Sequence, residues 1–552
     1  MEGALRFVIL CNSMEFEAWQ IASLKAVMES EAGIAVGVVL RAADPAGGPS
    51  QKWRKRWRDR KVLTWRLFEK LFVRPFSLAI KTTNAGALLK GVPVWSDRPS
   101  KVGRYAERLH DDTLDFIRNL QPDFIVRFGY GILDGDVLDA APFGLWSYHH
   151  GDPSRFRGQP PGFWEILTGA ETAGAVLQVL SSQLDAGRIL HRGSFAVFQQ
   201  SYAKTRDTLY FGSASFIARA CRDVLVNGWN HDAAIEQETL GPIYKQPDAL
   251  SVLKFAYINL RTRLSSFFRY RISRQTWNCA IISAPIHEVA GLAGSKAQEA
   301  ALRSAVWMDP GPQEFFADPF GYRAPGSPIQ ILFERFNWRT SLGTIASVSF
   351  DGEKYSSVST ILDTGSHLSY PYILSQENDW FVIPENSAEK RVVSYRLSGQ
   401  AVADHEAEIF TGKEMVDTSF VDFGGRKWAF CTIDDFARNT HLHVFYFEDA
   451  ERRWAPHPLN PVKSDIRSAR PAGTPFVHAG ILYRPGQDCS RVYGGAVIVN
   501  EVQVLTDKDY QEVEVSAVRP PRNSYYHEGV HTISGLDEYT LIDGATRKCK
   551  FV

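Results

Sequence analysis

His149 and His150 stand in tandem at the end of the apolar run Leu145-Trp146-Ser147-Tyr148, and Asp185 follows His149 by 36 residues. Imidazole is the side chain whose ordinary pKa falls in the neutral range, so a histidine at a strand end can relay protons. A carboxylate brought back by one intervening helix would orient the ring and raise its basicity. The spacing is generic, and the same two residues read equally well as a polar strand end and a turn. Between them the loop Gly151-Asp152-Pro153-Ser154-Arg155-Phe156-Arg157-Gly158 carries two guanidinium groups. Arg155 and Arg157 could hold an anionic group, or pair with surface acids.

The elements that must position these groups alternate strand and helix. Asp123 to Gly131 reads as a buried strand running into a glycine-softened loop, which brings the histidine pair to the end of an α/β sheet, where open sheets place their ligands. Upstream, Arg6 to Leu10 is a strand, and Phe16, Trp19, Leu24 and Val27 recur at helical spacing. Gly33 to Leu40 is a second strand, parallel to the first by the crossover rule. Val92 to Trp95 is a short strand, Val102 to Leu120 a helix, Ala175 to Leu180 a strand and Tyr202 to Val226 one long helical segment. The turn at Asn12-Ser13 lacks the glycines of a dinucleotide fingerprint.

Residues from about 120 to 190 resemble the catalytic half of the folate-dependent formyltransferase family, which carries Asn-x-His, then Arg-aromatic-Arg-Gly or similar, then Asp-x-Gly. The matching positions are Ser147, His149, Arg155-Phe156-Arg157-Gly158 and Asp185-Ala186-Gly187. The resemblance implies a Rossmann-like α/β fold and 10-formyltetrahydrofolate as co-substrate. It puts His149 beside the formyl group, Asp185 as its tuner and acceptor of the amine proton, and His150, Arg155, Arg157 and Gly187 at the substrate. It also exposes a departure, since Ser147 stands where the family has asparagine. A serine hydroxyl is shorter by about a bond, so a bridging water or His150 would have to complete the oxyanion hole. Loss of one such donor costs roughly 10²–10³ in rate. A slower enzyme, a different acyl donor and an inactive relative are all left open. As an ordinary loop histidine, His150 would be exposed to solvent.

At 552 residues the chain has room for two or three domains. Its formal net charge of zero argues against a general nucleic-acid binder. The six cysteines show no metal-ligand spacing, the N-terminus runs directly into a strand, and no uncharged stretch approaches a membrane span. These features predict a cytoplasmic protein with no metal centre. Residues 52–81 are an exception in character: Lys52 to Lys61 is basic and studded with tryptophan, and Trp65, Leu67, Phe68, Leu71 and Phe72 follow. This insertion reads as a peripheral membrane-surface contact or as a solvated helix capping the sheet.

Beyond about residue 300 the chain turns β-rich and loosely repetitive. Successive units start near Asp318, Tyr370, Asp417, Arg470 and His531, at intervals of 52, 47, 53 and 61 residues. Five units of several short strands are what a propeller needs to close, with an irregular sandwich as the alternative. Ala317-Asp318-Pro319-Phe320, Pro384-Glu385, Ser464-Asp465 to Gly473 and Tyr483 to Asp488 resemble the N-terminal region of glucosamine inositolphosphorylceramide transferases and, more distantly, five-bladed glycosidases of the arabinanase type. In a propeller Asp318, Glu385, Asp417, Asp465 and Asp488 would converge on a central channel. They would there hold sugar hydroxyls, hold a cation, or hydrolyse a glycoside.

The expected organisation is a formyltransferase-like α/β domain over 1–230, linker helices over 231–275 and a five-bladed β-propeller over 276–552. The expected activity is transfer of a formyl group to the amine of an amino sugar or glycolipid presented by the propeller. The competing expectation is a catalytically silent formyltransferase fold joined to a propeller that binds or hydrolyses carbohydrate.

Overall fold

The computed structural model describes residues 3–42, 62–102, 106–182, 187–230, 240–376, 379–398, 401–433, 438–520 and 523–550. The chain divides into two compact units, Met1–Ser265 and Ser266–Val552. The segment expected as a linker contains the 24-residue helix Ala249–Ile272, and the division falls within it.

In the first unit seven strands form one sheet: β1 (Leu5–Cys11), β2 (Gly33–Arg41), β3 (Val94–Asp97), β4 (Phe124–Arg127), β5 (Leu145–His149), β6 (Thr172–Val179) and β7 (Arg188–Ala196), in the order β7-β6-β5-β4-β1-β2-β3. β3, β2, β1, β4 and β5 run parallel, and β6 and β7 are antiparallel additions. β1 is apolar on both sides because both faces are covered. Phe7 and Ile9 pack with α1 (Ala18–Glu29), while Val8 and Leu10 point to the other layer, with Leu114 and Ile117. α2 (Leu63–Phe72) lies within the stretch expected as a basic insertion; residues 52–61 of that stretch lie outside the described residues.

Two helices differ from the periodicity reading. The one expected from Val102 is α3 (Asp111–Asn119), preceded by a small ladder of Ser100–Val102 with Ala106–Arg108. Buried Asp97 sets its start by accepting the Thr113 hydroxyl at 2.7 Å and the His110 backbone N–H at 3.4 Å. α4 (Phe163–Thr168) follows β5. The long segment from Tyr202 is two helices, α5 (Tyr202–Ser213) and α6 (Phe216–Asn227). The Tyr148 hydroxyl sits at their junction, donating to the Ala214 carbonyl at 3.1 Å and accepting from Ile217 N–H at 3.4 Å. Apolar spacing carries no trace of such a polar insertion. Helix Ala249–Ile272 is α7.

The second unit is a succession of antiparallel sheets. The strands Glu314–Tyr322, Ile329–Asn337, Leu342–Phe350 and Ser359–Leu362 make one, and those from Ser369 to Thr411, Met415 to Pro456 and Phe476 to Val518 make three more. A further sheet joins the unit's two ends, for Ser273–Ile282 pairs with Tyr539–Cys549 along its whole length. Entry strands of three sheets carry a register shift, between Ala317 and Phe320, Ser369 and Tyr372, and Val416 and Ser419. Within each shift one residue takes the left-handed conformation: Asp318 (φ 53°), Tyr370 (φ 45°) and Asp417 (φ 50°). Such bulges turn a side chain and its N–H out of the ladder, as bulges next to sites do.

Candidate functional site

The carboxyl ends of β4 and β5 place Arg127 and His149 beside one another's strands, and register completes the group. Ser147 lies opposite Arg127 in the parallel pair and opposite Gln178 in the antiparallel pair with β6. Side chains opposite one another share a face, so Arg127, Ser147, His149 and Gln178 stand on one side of the sheet at its carboxyl edge. Ser147 is fully buried, and its Oγ accepts from Arg127 Nε at 3.2 Å and Nη2 at 3.0 Å. Arg127 Nη1 also donates to the Gly131 carbonyl at 2.6 Å, fixing the guanidinium against the loop after β4.

The ring of His149 is half-buried, with Nε2 3.3 Å from the Phe156 carbonyl oxygen. A carbonyl only accepts, so Nε2 carries the proton in that bond. His150 is buried rather than exposed, packed edge-on to Trp19 at 4.8 Å and bonded through Nε2 to Ser213 Oγ at 3.1 Å. Burial, reinforced by His149, pushes its pKa down to about 3. Near neutral pH it is therefore a neutral imidazole.

Asp185 lies outside the described residues. Gly187 is buried against the end of β6, where a Cβ would come within 2.0 Å of the Val179 carbonyl oxygen. That close approach requires glycine there. Arg155 is exposed with its guanidinium 5.4 Å from the Phe156 ring centre, and Arg157 sits in a two-residue ladder with Ile243–Tyr244. Neither arginine lines the cavity described next.

That cavity, of about 890 Å³, opens over the carboxyl edge and is lined by Arg127, Tyr130, His149, His150 and Gln178, with Glu17, Glu69, Arg74, Lys81, Tyr202, Arg206 and Tyr210 on its walls. Small-molecule sites typically measure roughly 300–1,000 Å³. Several buried polar atoms on its lining have no hydrogen-bond partner among the described residues: Gln178 Oε1, Tyr130 Oη, and Nε and Nη2 of Arg206. Buried polar groups are rarely left unpaired, so the cavity is built for a ligand rich in donors and acceptors.

The second unit holds a smaller cavity of about 240 Å³, lined by Asp318, Glu334, Glu385, Asp417, Arg470 and His531 and by the aromatic rings of Trp277, Phe315, Phe336 and Tyr493. The bulges explain the convergence. Each turned-out N–H is held by a carboxylate: Asp318 N–H by Asp543 at 3.2 Å, Tyr370 N–H by Asp318 at 3.3 Å and Asp417 N–H by Glu385 at 3.1 Å. Arg470 Nε donates to Asp417 at 2.5 Å, and Gln487 reaches the same oxygen at 2.7 Å. His531 is wedged between Asp543 and Asp318, the latter at 3.4 Å.

Burial pushes Asp318, Glu334 and Glu385 up. Asp318 reaches about 6 despite His531, and Glu385 about 8 despite Arg470, with Asp417 adding to both shifts; Glu334 is also raised. Burial opposes the charge on His531, yet Asp543 and Asp318 hold its pKa up at about 9. Of the five acids expected in a channel, Asp318, Glu385 and Asp417 line the cavity and Asp465 and Asp488 do not. Asp465 pairs with Arg467 at 2.8 Å, and Asp488 closes a local turn by accepting from Ser490 N–H at 3.0 Å. Both are loop-forming aspartates at strand ends, which composition does not separate from channel residues.

Arg127, Gln178, Glu334 and Asp543 were missed as site residues. Arg470 and His531 carried a signal, being repeat starts at the phase of Asp318 and Asp417. Asp318, His531 and Asp543 also bring potential ligand atoms within 4.8 Å of one another, a geometry open to a cation.

Residues 90–211 match the formyl transferase family profile, and residues 300–536 match that of glucosamine inositolphosphorylceramide transferase 1, N-terminal. Glucosamine inositolphosphorylceramide transferase 1 of Oryza sativa subsp. japonica is 33% identical over 251 residues, 42% of this chain and 33% of the relative. The Arabidopsis thaliana protein of that name is 30% identical over 249 residues, 42% of this chain and 32% of its own length. The chain thus spans about a third of these relatives. Methionyl-tRNA formyltransferase of Clostridium perfringens is 27% identical over 130 residues, 23% of this chain and 42% of that enzyme. Among solved structures, glycinamide ribonucleotide transformylase 1 from Symbiobacterium toebii aligns with 14% identity and a TM-score of 0.29 over 44% of this chain and 96% of its own. A thermostable family-43 glycoside hydrolase aligns with 10% identity and a TM-score of 0.30 over 36% of this chain and 75% of its own.

Proposed function

We propose that the first unit transfers a formyl group to the amine of an amino sugar or glycolipid, and that the second is a five-bladed propeller that holds the carbohydrate. The observation that carries the reading is the alignment of Arg127, His149 and Gln178 along one edge of a cavity, in a stretch matching formyl transferases. The cavity's size and its unpaired polar lining fit a folate. When bound, 10-formyltetrahydrofolate supplies an activated formyl carbon.

The residues supply the rest. An incoming ammonium must lose a proton, the tetrahedral oxygen needs donors, and the departing nitrogen needs a proton. His149 relays protons, its ring oriented by the contact of Nε2 with the Phe156 carbonyl. Asp185 would tune it. Ser147 does not act as the missing asparagine. It is the acceptor that holds Arg127 in place, and the oxyanion donors are the Arg127 guanidinium and the Gln178 amide. Gln178 can turn its N–H toward the reacting oxygen without giving up a bond from Oε1.

The second cavity is the size of about one sugar ring, with aromatic faces and acids that accept hydroxyl protons. Relatives named for a glycolipid transferase match this half, which supports a glycolipid acceptor. Glu385, protonated near neutrality, also favours hydrolysis as a second reading for this unit.

The test is incubation of the full chain with formyltetrahydrofolate and a panel of amino sugars, following folate release and product mass. Transfer to at least one acceptor, lost in His149→Ala, supports the reading. Absence of transfer to every acceptor with sugar still bound overturns it in favour of a silent fold. Release of free sugar from glycosides, lost in Glu385→Gln, identifies a hydrolytic second unit.

A further inference from the structure

We propose that Arg206 anchors an oxyanion subsite in the first-unit cavity, which takes a phosphate or carboxylate carried by the substrate. Arg206 lies on α5 and is 4% exposed. One nitrogen, Nη1, donates to Glu69 Oε1 at 3.1 Å, whereas Nε and Nη2, both buried, have no hydrogen-bond partner among the described residues. Those two nitrogens form the side-on edge of the guanidinium, the fork that matches a two-oxygen anion. The charge of the lining agrees: Arg74, Lys81, Arg127 and Arg206 face the cavity against Glu17 and Glu69. Nearby Tyr202 and Tyr210, both raised in pKa by burial, are neutral phenols and add no competing charge.

The substrate's identity rests on formyl transfer, but the subsite is testable by binding alone. The probes are two matched pairs: an amino sugar with and without a phosphate monoester, and folate against pteroate, which lacks the glutamate carboxylates. The expected result is at least tenfold tighter binding of one anionic member over its partner. Arg206→Gln should erase that advantage, and Arg206→Lys, which keeps the charge without the fork, should retain only part of it. Discrimination in the sugar pair assigns the anion to the acceptor, and in the folate pair to the donor. Equal binding within both pairs, or an advantage that survives Arg206→Gln or is undiminished in Arg206→Lys, overturns the subsite. Intact discrimination with no formyl transfer would sink the catalytic reading and leave the subsite standing.

A separate observation concerns the outside of the same wall. We further infer that the outer faces of α2 and of the first-unit part of α7 dock on an anionic lipid surface. α7 is apolar on two opposite sides. Val252 and Phe255 are buried, and Phe255 meets Phe68 of α2 at 5.7 Å between ring centres. Opposite them Leu250, Leu253, Tyr257, Leu260 and Leu264 form a stripe whose members are 50% to 75% exposed. On α2, Leu63, Leu67 and Leu71 are 52% to 61% exposed. Scattered exposed leucines are ordinary, but a row of them along one face of each of two adjoining helices marks an interaction surface.

Charge selects the occupant. α7 carries five Lys or Arg and no acid in 24 residues, with Lys254 and Arg261 exposed along the stripe. The one acid of α2, Glu69, is turned inward to Arg206. Two copies meeting through this face would oppose like charges, whereas an anionic bilayer complements both the stripe and its cations.

The experiment is flotation of the full chain with phosphatidylcholine vesicles, with and without about a third phosphatidylserine. Binding should require the anionic lipid and weaken in high salt. Leu253→Glu with Leu260→Glu should abolish it with the unfolding midpoint unchanged, both positions being exposed. Lys254→Gln with Arg261→Gln should weaken it about tenfold or more. Failure of the folded chain to float, or binding that the glutamate pair leaves intact, overturns the inference. A dimer in sedimentation equilibrium that the glutamate pair dissociates, in a chain that does not float, would assign the face to a second copy.

Discussion

Arg127 donates two hydrogen bonds to the single oxygen of Ser147, at 3.2 Å and 3.0 Å, across neighbouring parallel strands. This pairing changes what Ser147 is for. A hydroxyl sealed beneath a guanidinium cannot meet a substrate, but it can fix a guanidinium that, in the proposed mechanism, does. Arg127→Gln should therefore lower kcat by about 10²–10³ with a smaller change in KM, the pattern of a transition-state donor. Ser147→Ala should cost less, because Gly131 still holds Nη1. Steady-state kinetics on an accepted amino sugar check both, and equal, large losses in kcat would return Ser147 to a direct role.

In the proposed mechanism the amide of Gln178 is the second donor, reached from β6 through its register with Ser147. Gln178→Leu keeps the bulk and removes the amide, so kcat should fall by about 10²–10³ while the fold survives. Gln178→Asn, with a shorter reach, should recover only part. A Leu variant with unchanged kcat would show that Arg127 acts alone.

How much of this was legible in the sequence depends on the kind of signal. His149 announced itself as an imidazole at a strand end, and the repeat phase of Asp318, Asp417, Arg470 and His531 marked residues that the structure brings to one cavity. Gln178 gave no signal, because it sits in an apolar strand and acts only through cross-strand register, which turn geometry and burial decide. Of the two expectations for His150, a substrate contact and an exposed loop residue, the second fails, because its cage of Trp19, Tyr148 and Tyr210 is assembled from distant segments that spacing does not connect. Asp465 and Asp488 have the same composition as channel acids but spend their oxygens on local turns.

His150 should remain neutral across the whole range in which the enzyme works, since burial pushes its pKa down to about 3. Nitrogen NMR of the labelled imidazoles checks this: one ring should keep neutral shifts down to about pH 4, and its signal should vanish in His150→Gln. A His150 ring that titrates near 6.5 would place it in contact with solvent or substrate.

Asp318, Glu385 and His531 of the second cavity each bind a proton more tightly folded than unfolded. Asp318 moves from 3.8 to about 6, Glu385 from 4.5 to about 8 and His531 from 6.5 to about 9. A raised folded-state pKa gives stability that is present below the unfolded value and is lost as pH rises through the folded one. The unfolding midpoint of the second unit should therefore fall steadily from mildly acid pH to about pH 9, with the part above pH 6.5 owed mainly to Glu385 and His531. Glu385→Gln keeps the oxygen that accepts the Asp417 N–H and removes the charge. It should raise the midpoint at pH 9 by a few degrees and flatten the slope between pH 4.5 and 8, with little effect at pH 4. Calorimetry across pH reads this directly. A Gln variant that is less stable than the parent at pH 9 would mean that Glu385 is held there as a needed anion, partnered by Arg470, rather than as a proton carrier.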